Sequence, residues 1–98
     1  MEENRLSVMI IGSTRFKKEM EETAWELSRK GWVVWLPLFR PEDADDIDES
    51  LLEDIGLAKI DIVDTVLVFN KDHYIGSSTQ KEIEYCKFIK KPMRYLED

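Results

Sequence analysis

Thr65-Val66-Leu67-Val68-Phe69 is apolar almost throughout and stands between two stretches of helical spacing. A strand without polar alternation has to be covered on both faces. That is the condition of a strand inside a parallel sheet flanked by helices. Before it, Ser50 to Ile62 carries Leu51, Leu52, Ile55, Leu57 or Ala58, and Ile62 at helical spacing, with Gly56 as the one interruption. After it, Asn70 to Tyr74 reads as a polar loop. Gly76-Ser77-Ser78-Thr79-Gln80-Lys81-Glu82-Ile83-Glu84-Tyr85 then opens a helix that runs to about Ile89 and buries Ile83, Cys86 (or Tyr85) and Ile89.

The same alternation extends outward from this centre. Leu6 to Ile11 is a short apolar run closed by Gly12, and it reads as a buried strand. Gly12-Ser13-Thr14 is a turn in which Ser13 or Thr14 can cap the next helix. Phe16 to Lys30 spaces Phe16, Met20, Ala24, Leu27 and, at the margin, Trp25 as one face of a surface helix. Gly31 follows a basic last turn, as a helix-ending glycine does. Trp32 to Leu36 is β-branched and aromatic, a second strand. Pro37 and Pro41 bracket a loop, and the acidic run 42–49 is expected to be an exposed loop or a flexible lid. Lys90-Lys91-Pro92 ends the last helix before a short strand, Met93 to Leu96.

The order β-α-β-α-β-α-β implies right-handed crossovers. The expected fold is α/β: one flavodoxin-like, Rossmann-like three-layer domain over residues 1–98. Its four-stranded parallel sheet has the order 2-1-3-4 with about three helices. At 98 residues such a domain buries a modest core, so assembly into a homodimer or larger homo-oligomer is expected to add buried surface. The three tryptophans, Trp25, Trp32 and Trp35, are read as core or interface residues.

Composition narrows the partners. A net charge of −7 argues against nucleic acid or an anionic membrane, and leaves room for a small anion held by local N–H groups. No apolar stretch approaches the roughly 20 residues of a membrane span. Met1 to Arg5 is polar and mostly acidic, unlike a secretory leader, so a cytoplasmic setting is expected. The single cysteine, Cys86, allows no disulfide framework within the chain. No cluster of His, Cys and carboxylates has metal-ligand spacing, and no cofactor or metal is expected. His73 has no Ser or Cys partner at a recognisable spacing and reads as a loop residue.

In an open parallel sheet, ligands bind outside the carboxyl ends of the strands, where the strand order reverses. Here that point falls between the first and third strands. The loops that meet there are Gly12-Ser13-Thr14-Arg15 and Asn70 to Thr79, where the small, hydroxyl-bearing and charged residues gather. The first supplies a tight turn, two hydroxyls and a cation, yet matches neither the P-loop nor the dinucleotide fingerprint. It could equally be an ordinary capped turn. The second, through Gly76, Ser77, Ser78 and Thr79, offers unsatisfied N–H groups at a helix start, a setting for an anion. Glu82 lies about one turn in, where it is either a solvated helical glutamate or a nucleophile or base facing the ligand. Asp64 either ends the second helix or approaches the same corner.

These residues together resemble a family. Ile10-Ile11-Gly12-Ser13-Thr14-Arg15-Phe16, Ile60 to Val68 with Asp61 and Asp64, and Tyr74 to Tyr85 with Lys91-Pro92-Met93 after it are similar to nucleoside 2-deoxyribosyltransferase-like proteins. That group includes the deoxynucleoside 5′-monophosphate N-glycosidases. The resemblance implies that Glu82 is the nucleophile that attacks the anomeric carbon of a 2-deoxyribosyl group in a retaining double displacement. It implies that Gly12 and Ser13 approach the sugar and its 5′ end, that Ser78 and Thr79 lie near the 5′ group, and that Asp64 is the family's aspartate before the strand. Glu84 stands where the family has Gly, and Gly76 where it has Asp or Asn. Two readings follow: cleavage or transfer at the N-glycosidic bond of a deoxynucleoside or its 5′-monophosphate, or binding of a nucleotide or nucleotide derivative without turnover.

Overall fold

The computed structural model describes residues 5–98, so Met1 to Asn4, and most of the leader reading made on them, lie outside the described residues. The elements follow in the order β1 (Ser7–Gly12), a 3₁₀ turn (Thr14–Phe16), α1 (Lys17–Arg29), β2 (Val33–Trp35), α2 (Glu49–Ile62), β3 (Thr65–Phe69), a second 3₁₀ turn (Lys71–His73), α3 (Ser77–Ile89) and β4 (Met93–Tyr95). The sheet is parallel throughout, in the order β2-β1-β3-β4. Val8 pairs with Thr65 and Gly12 with Phe69, which sets the carboxyl ends of the two central strands level.

The pleat explains the three layers. On β1, Met9 and Ile11 join one core cluster with Val66 and Val68 of β3, Ile60 of α2, and Ile83 and Cys86 of α3. Ile10 points the other way and joins Phe16, Met20 and Phe69 under α1. Alternate residues of the central strands thus fill opposite cores, and so both runs are continuously apolar. The chain steps from β1 to β2 in one direction, then from β2 to β3 and β3 to β4 in the other. Right-handed crossovers therefore leave α1 alone on one face and put α2 and α3 together on the other.

Helix ends are set locally. After α1, Gly31 takes φ +100°, its N–H bonds Ser28 O at 2.9 Å, and the N–H of Trp32 bonds Leu27 O at 3.1 Å. This is a Schellman closure that only glycine accepts without strain. α2 begins one residue earlier than the hydrophobic spacing predicts, because Asp48 caps it by accepting from the N–H of Ser50 at 2.9 Å. Apart from Asp48 and Glu49, which cap and open α2, the acidic run 42–49 forms an exposed connection.

Of the three tryptophans read as core or interface residues, Trp25 and Trp35 are not core. Trp25 is 66% exposed and Trp35 38%. Trp25 lies five residues beyond the buried Met20, about 140° further round the helix, and so faces outward. Trp35 sits on the edge strand β2. Among the described residues no helix is long and apolar enough to cross a membrane.

Candidate active site

A cleft of about 440 Å³ opens at the carboxyl end of β1, between the start of α3 and one face of α2. Its floor includes Met9 and Gly12, and Thr14 stands at its edge. Gly12 has to be glycine there: a Cβ would lie 2.9 Å from Phe69 Cβ and 3.2 Å from Met20 Sδ. The α3 wall presents Ser78, Thr79, Glu82 and Tyr85, one helical face one turn apart. The opposite wall is α2, through Leu52, Ile55, Gly56 and Lys59, with Pro37 and Leu38 closing one side.

Glu82 is half-buried, and its Oε2 lies 3.0 Å from where a Cβ on Gly56 would be. The carboxylate rests against the bare backbone of α2. Burial lifts the Glu82 carboxyl from 4.5 to about 7, and the positive charge of Lys59 pulls in the opposite direction. Lys59 is itself half-buried and donates to the Leu36 carbonyl at 2.9 Å. Tyr85 donates to Asp61 Oδ1 at 2.6 Å, and this bond, with some burial, raises its phenol above the ordinary value. α3 starts at Gly76 with no side-chain cap, so its first N–H groups are left for a ligand or water.

The structure brings Gly12, Thr14, Ser78, Thr79 and Glu82 to one cleft. It places the other expected residues differently. The Ser13 hydroxyl accepts from the N–H of Arg15 at 3.2 Å and so caps the 3₁₀ turn. The Arg15 guanidinium lies over the Tyr74 ring, 3.7 Å from its centre. Gly76 is the N-cap of α3, and Ser77 is exposed beside it. Neither lines the cleft.

Asp64 is at the wrong end of the sheet. Its Oδ2 accepts from the Ser7 N–H at 2.7 Å and the Ser7 hydroxyl at 3.0 Å, clamping the amino ends of β1 and β3. Those bonds hold its carboxyl below the usual range. Gly12 is five strand residues away, about 16 Å at 3.3 Å per residue. His73 lies in the 70–74 loop, with Nε2 2.9 Å from Asp98 O. Cys86 is buried, and burial raises its thiol above the ordinary value. Among the described residues no group of three or more His, Cys, Asp or Glu is arranged to hold a metal ion.

Sequence reasoning missed the α2 wall. Its signal was present in Gly56, a helix-weakening residue in mid-helix, and in an apolar row longer than the core needs. Of that row, Leu52, Ile55 and Leu57 line the cleft, and only Ile60 of α2 is fully buried.

The fold has solved counterparts. A 2-desoxiribosyltransferase from Leishmania mexicana superposes with a TM-score of 0.70 over 92% of this chain at 13% sequence identity. The chain has the fold of a 2-deoxyribosyltransferase. A conserved protein from Enterococcus faecalis V583 superposes with a TM-score of 0.74 over 94% of the chain, also at 13% identity. The chain spans 63% of the length of each. No protein-family model matches the sequence, and no curated protein matches it.

Proposed function

We propose that the cleft binds a 2-deoxynucleoside or its 5′-monophosphate and that Glu82 cleaves or transfers at the N-glycosidic bond. The observation that carries this reading is the half-buried Glu82 carboxyl, set against Gly56 in a largely apolar cleft at the carboxyl end of β1. A nucleophilic carboxylate needs a site that removes water around it while leaving it accessible on one side. The aliphatic side chains of Leu38, Leu52 and Ile55 suit the faces of a base. Ser78, Thr79 and the uncapped start of α3 suit the 5′ hydroxyl or phosphate.

In the reaction, a Glu82 oxygen forms a bond to the anomeric carbon as the C–N bond breaks. The base leaves with that electron pair and takes up a proton. Water or a second base then displaces the carboxylate from the face that the first base left, opposite Glu82, which regenerates Glu82 and, by two inversions, retains configuration. With its carboxyl near 7, about half of the Glu82 population is ionised at neutral pH.

A second reading, nucleotide binding without turnover, is favoured by Gly76, which puts no acidic side chain at the start of α3. One experiment separates the two. The protein is incubated with deoxynucleosides and their 5′-monophosphates, and free base is followed by chromatography. Release by the wild type and none by Glu82→Ala supports the enzyme. Saturable binding without release supports the sensor. Neither binding nor release removes both.

A further inference from the structure

The cleft carries three carboxylates, Glu49, Glu53 and Glu82, on a chain of net charge −7. Two of them have a surface cation close by. Glu49 lies 3.9 Å from Arg40 and Glu53 lies 3.6 Å from Lys81, both pairs well exposed. Such pairs contribute little and are screened by salt. Glu82 makes no ion pair within 4 Å among the described residues, and the cation left on the cleft wall is Lys59.

Lys59 is placed by two constraints. It lies three residues after Gly56, so the two share a face of α2, and Gly56 is where the Glu82 carboxylate rests. Its ammonium is also tethered to the Leu36 carbonyl at 2.9 Å, at the base of the loop that carries Pro37 and Leu38. A lysine has three donors, and one is used here. The side chain is therefore fixed in the cleft wall rather than free to swing into water.

We propose, resting on the reading of Glu82 as nucleophile, that Lys59 is a positioning residue that favours the charged form of Glu82 in the cleft and ties that charge to the seating of the Pro37–Leu38 loop. The groups that face Glu82 can be named for each element around it. α2 offers Glu49, Glu53 and Lys59, and α3 offers Lys81, Tyr85 and Cys86. The β1 end offers only Gly12 and Thr14, which carry no charge. Lys81 is 70% exposed and directed to Glu53, so its field at Glu82 is weakened by solvent. Loss of the Lys59 charge makes ionisation of Glu82 harder, because burial is then opposed only by the solvent-screened Lys81. A lysine that served only as a loop anchor would not have this effect if its donor were kept and its charge removed.

The experiment follows from that distinction. The Glu82 side-chain carboxyl is titrated by ¹³C NMR in the ligand-free protein and assigned by the signal lost in Glu82→Gln. Lys59→Gln removes the charge but keeps a donor for Leu36, Lys59→Met removes both, and Lys59→Arg keeps the charge. Lys59→Gln and Lys59→Met are expected to raise the Glu82 midpoint by about one pH unit, a tenfold fall in the ionised ratio. Lys59→Arg is expected to stay close to wild type. In base release, the acidic limb of kcat/KM should move by the same amount, while the plateau at high pH falls in Lys59→Met more than in Lys59→Gln. An unmoved midpoint in Lys59→Gln overturns the proposal, as does a midpoint in Lys59→Arg raised as far as in Lys59→Gln. Absence of base release in the wild type would remove the enzymatic reading, and the titration would still decide whether Lys59 holds the charge of Glu82.

Discussion

Replacing Glu82 by Gln should make this protein more stable while removing the proposed nucleophile. In the folded chain burial lifts the Glu82 carboxyl from 4.5 to about 7. Below pH 4.5 the group is protonated in both the folded and unfolded states, and it affects stability little. Between 4.5 and 7 the unfolded chain gives up the proton and the folded chain keeps it, so stability falls as pH rises. Above 7 the folded protein carries the full penalty of a desolvated carboxylate. At about 1.4 kcal/mol per pH unit this amounts to about 3 kcal/mol. Gln has the same shape and never ionises. At pH 8 the variant should therefore melt roughly 12–24 °C higher than wild type, at about 4–8 °C per kcal/mol for a chain of this size. The two melting curves should converge as pH falls toward 4.5. Thermal melts followed by circular dichroism at pH 4.5, 6, 7 and 8 measure the gap. A variant no more stable than wild type at pH 8, or a gap independent of pH, would refute the placement of Glu82 in a desolvating cleft. The expected gain is the stability penalty of holding a carboxylate in the cleft.

Three further outcomes are expected. Base release should rise with pH through about 7, because only ionised Glu82 can attack, and a rate flat from pH 5 to 9 would contradict that role. Gly56→Ala should stabilise α2 by up to about 1 kcal/mol, yet displace a carboxylate that would meet the new Cβ at 3.0 Å. Its melting temperature should hold or rise, while kcat/KM falls by about 10–100-fold in the base-release assay. Asp64→Asn should lower the melting temperature at neutral pH by weakening the clamp to Ser7, with a difference that shrinks as pH falls through the carboxylate range. Base release by that variant should match wild type, since Asp64 lies at the amino end of β3.

The sheet was legible because its two central strands must be apolar on both faces. Met9 to Ile11 and Val66 to Phe69 have no polar residue to alternate with, and only a covered parallel strand accepts that. The corner of the site was legible because small and hydroxyl residues follow those strands directly. The far wall was not. That Gly56 receives the Glu82 carboxylate, and that Lys59 reaches back 23 residues to Leu36, are tertiary facts with no local pattern. The misplacement of Asp64 has a different origin. A residue just before a parallel strand lies at its amino end, opposite the ligand side, and strand direction alone would have excluded it. Trp25 illustrates the limit of a marginal helical position. Its ring lies off the buried stripe, where side-chain size says nothing about burial.

The central claim is that Glu82 bonds to the sugar. The most direct test is to mix the protein with a 2-deoxynucleoside 5′-monophosphate that releases base, quench in acid within the first turnover, and map the peptides by mass spectrometry. The peptide that carries Glu82 should gain one 2-deoxyribosyl 5′-phosphate group, and Glu82→Gln should gain none and release no base. Base release that continues in Glu82→Gln, or an adduct on another residue, would contradict the account.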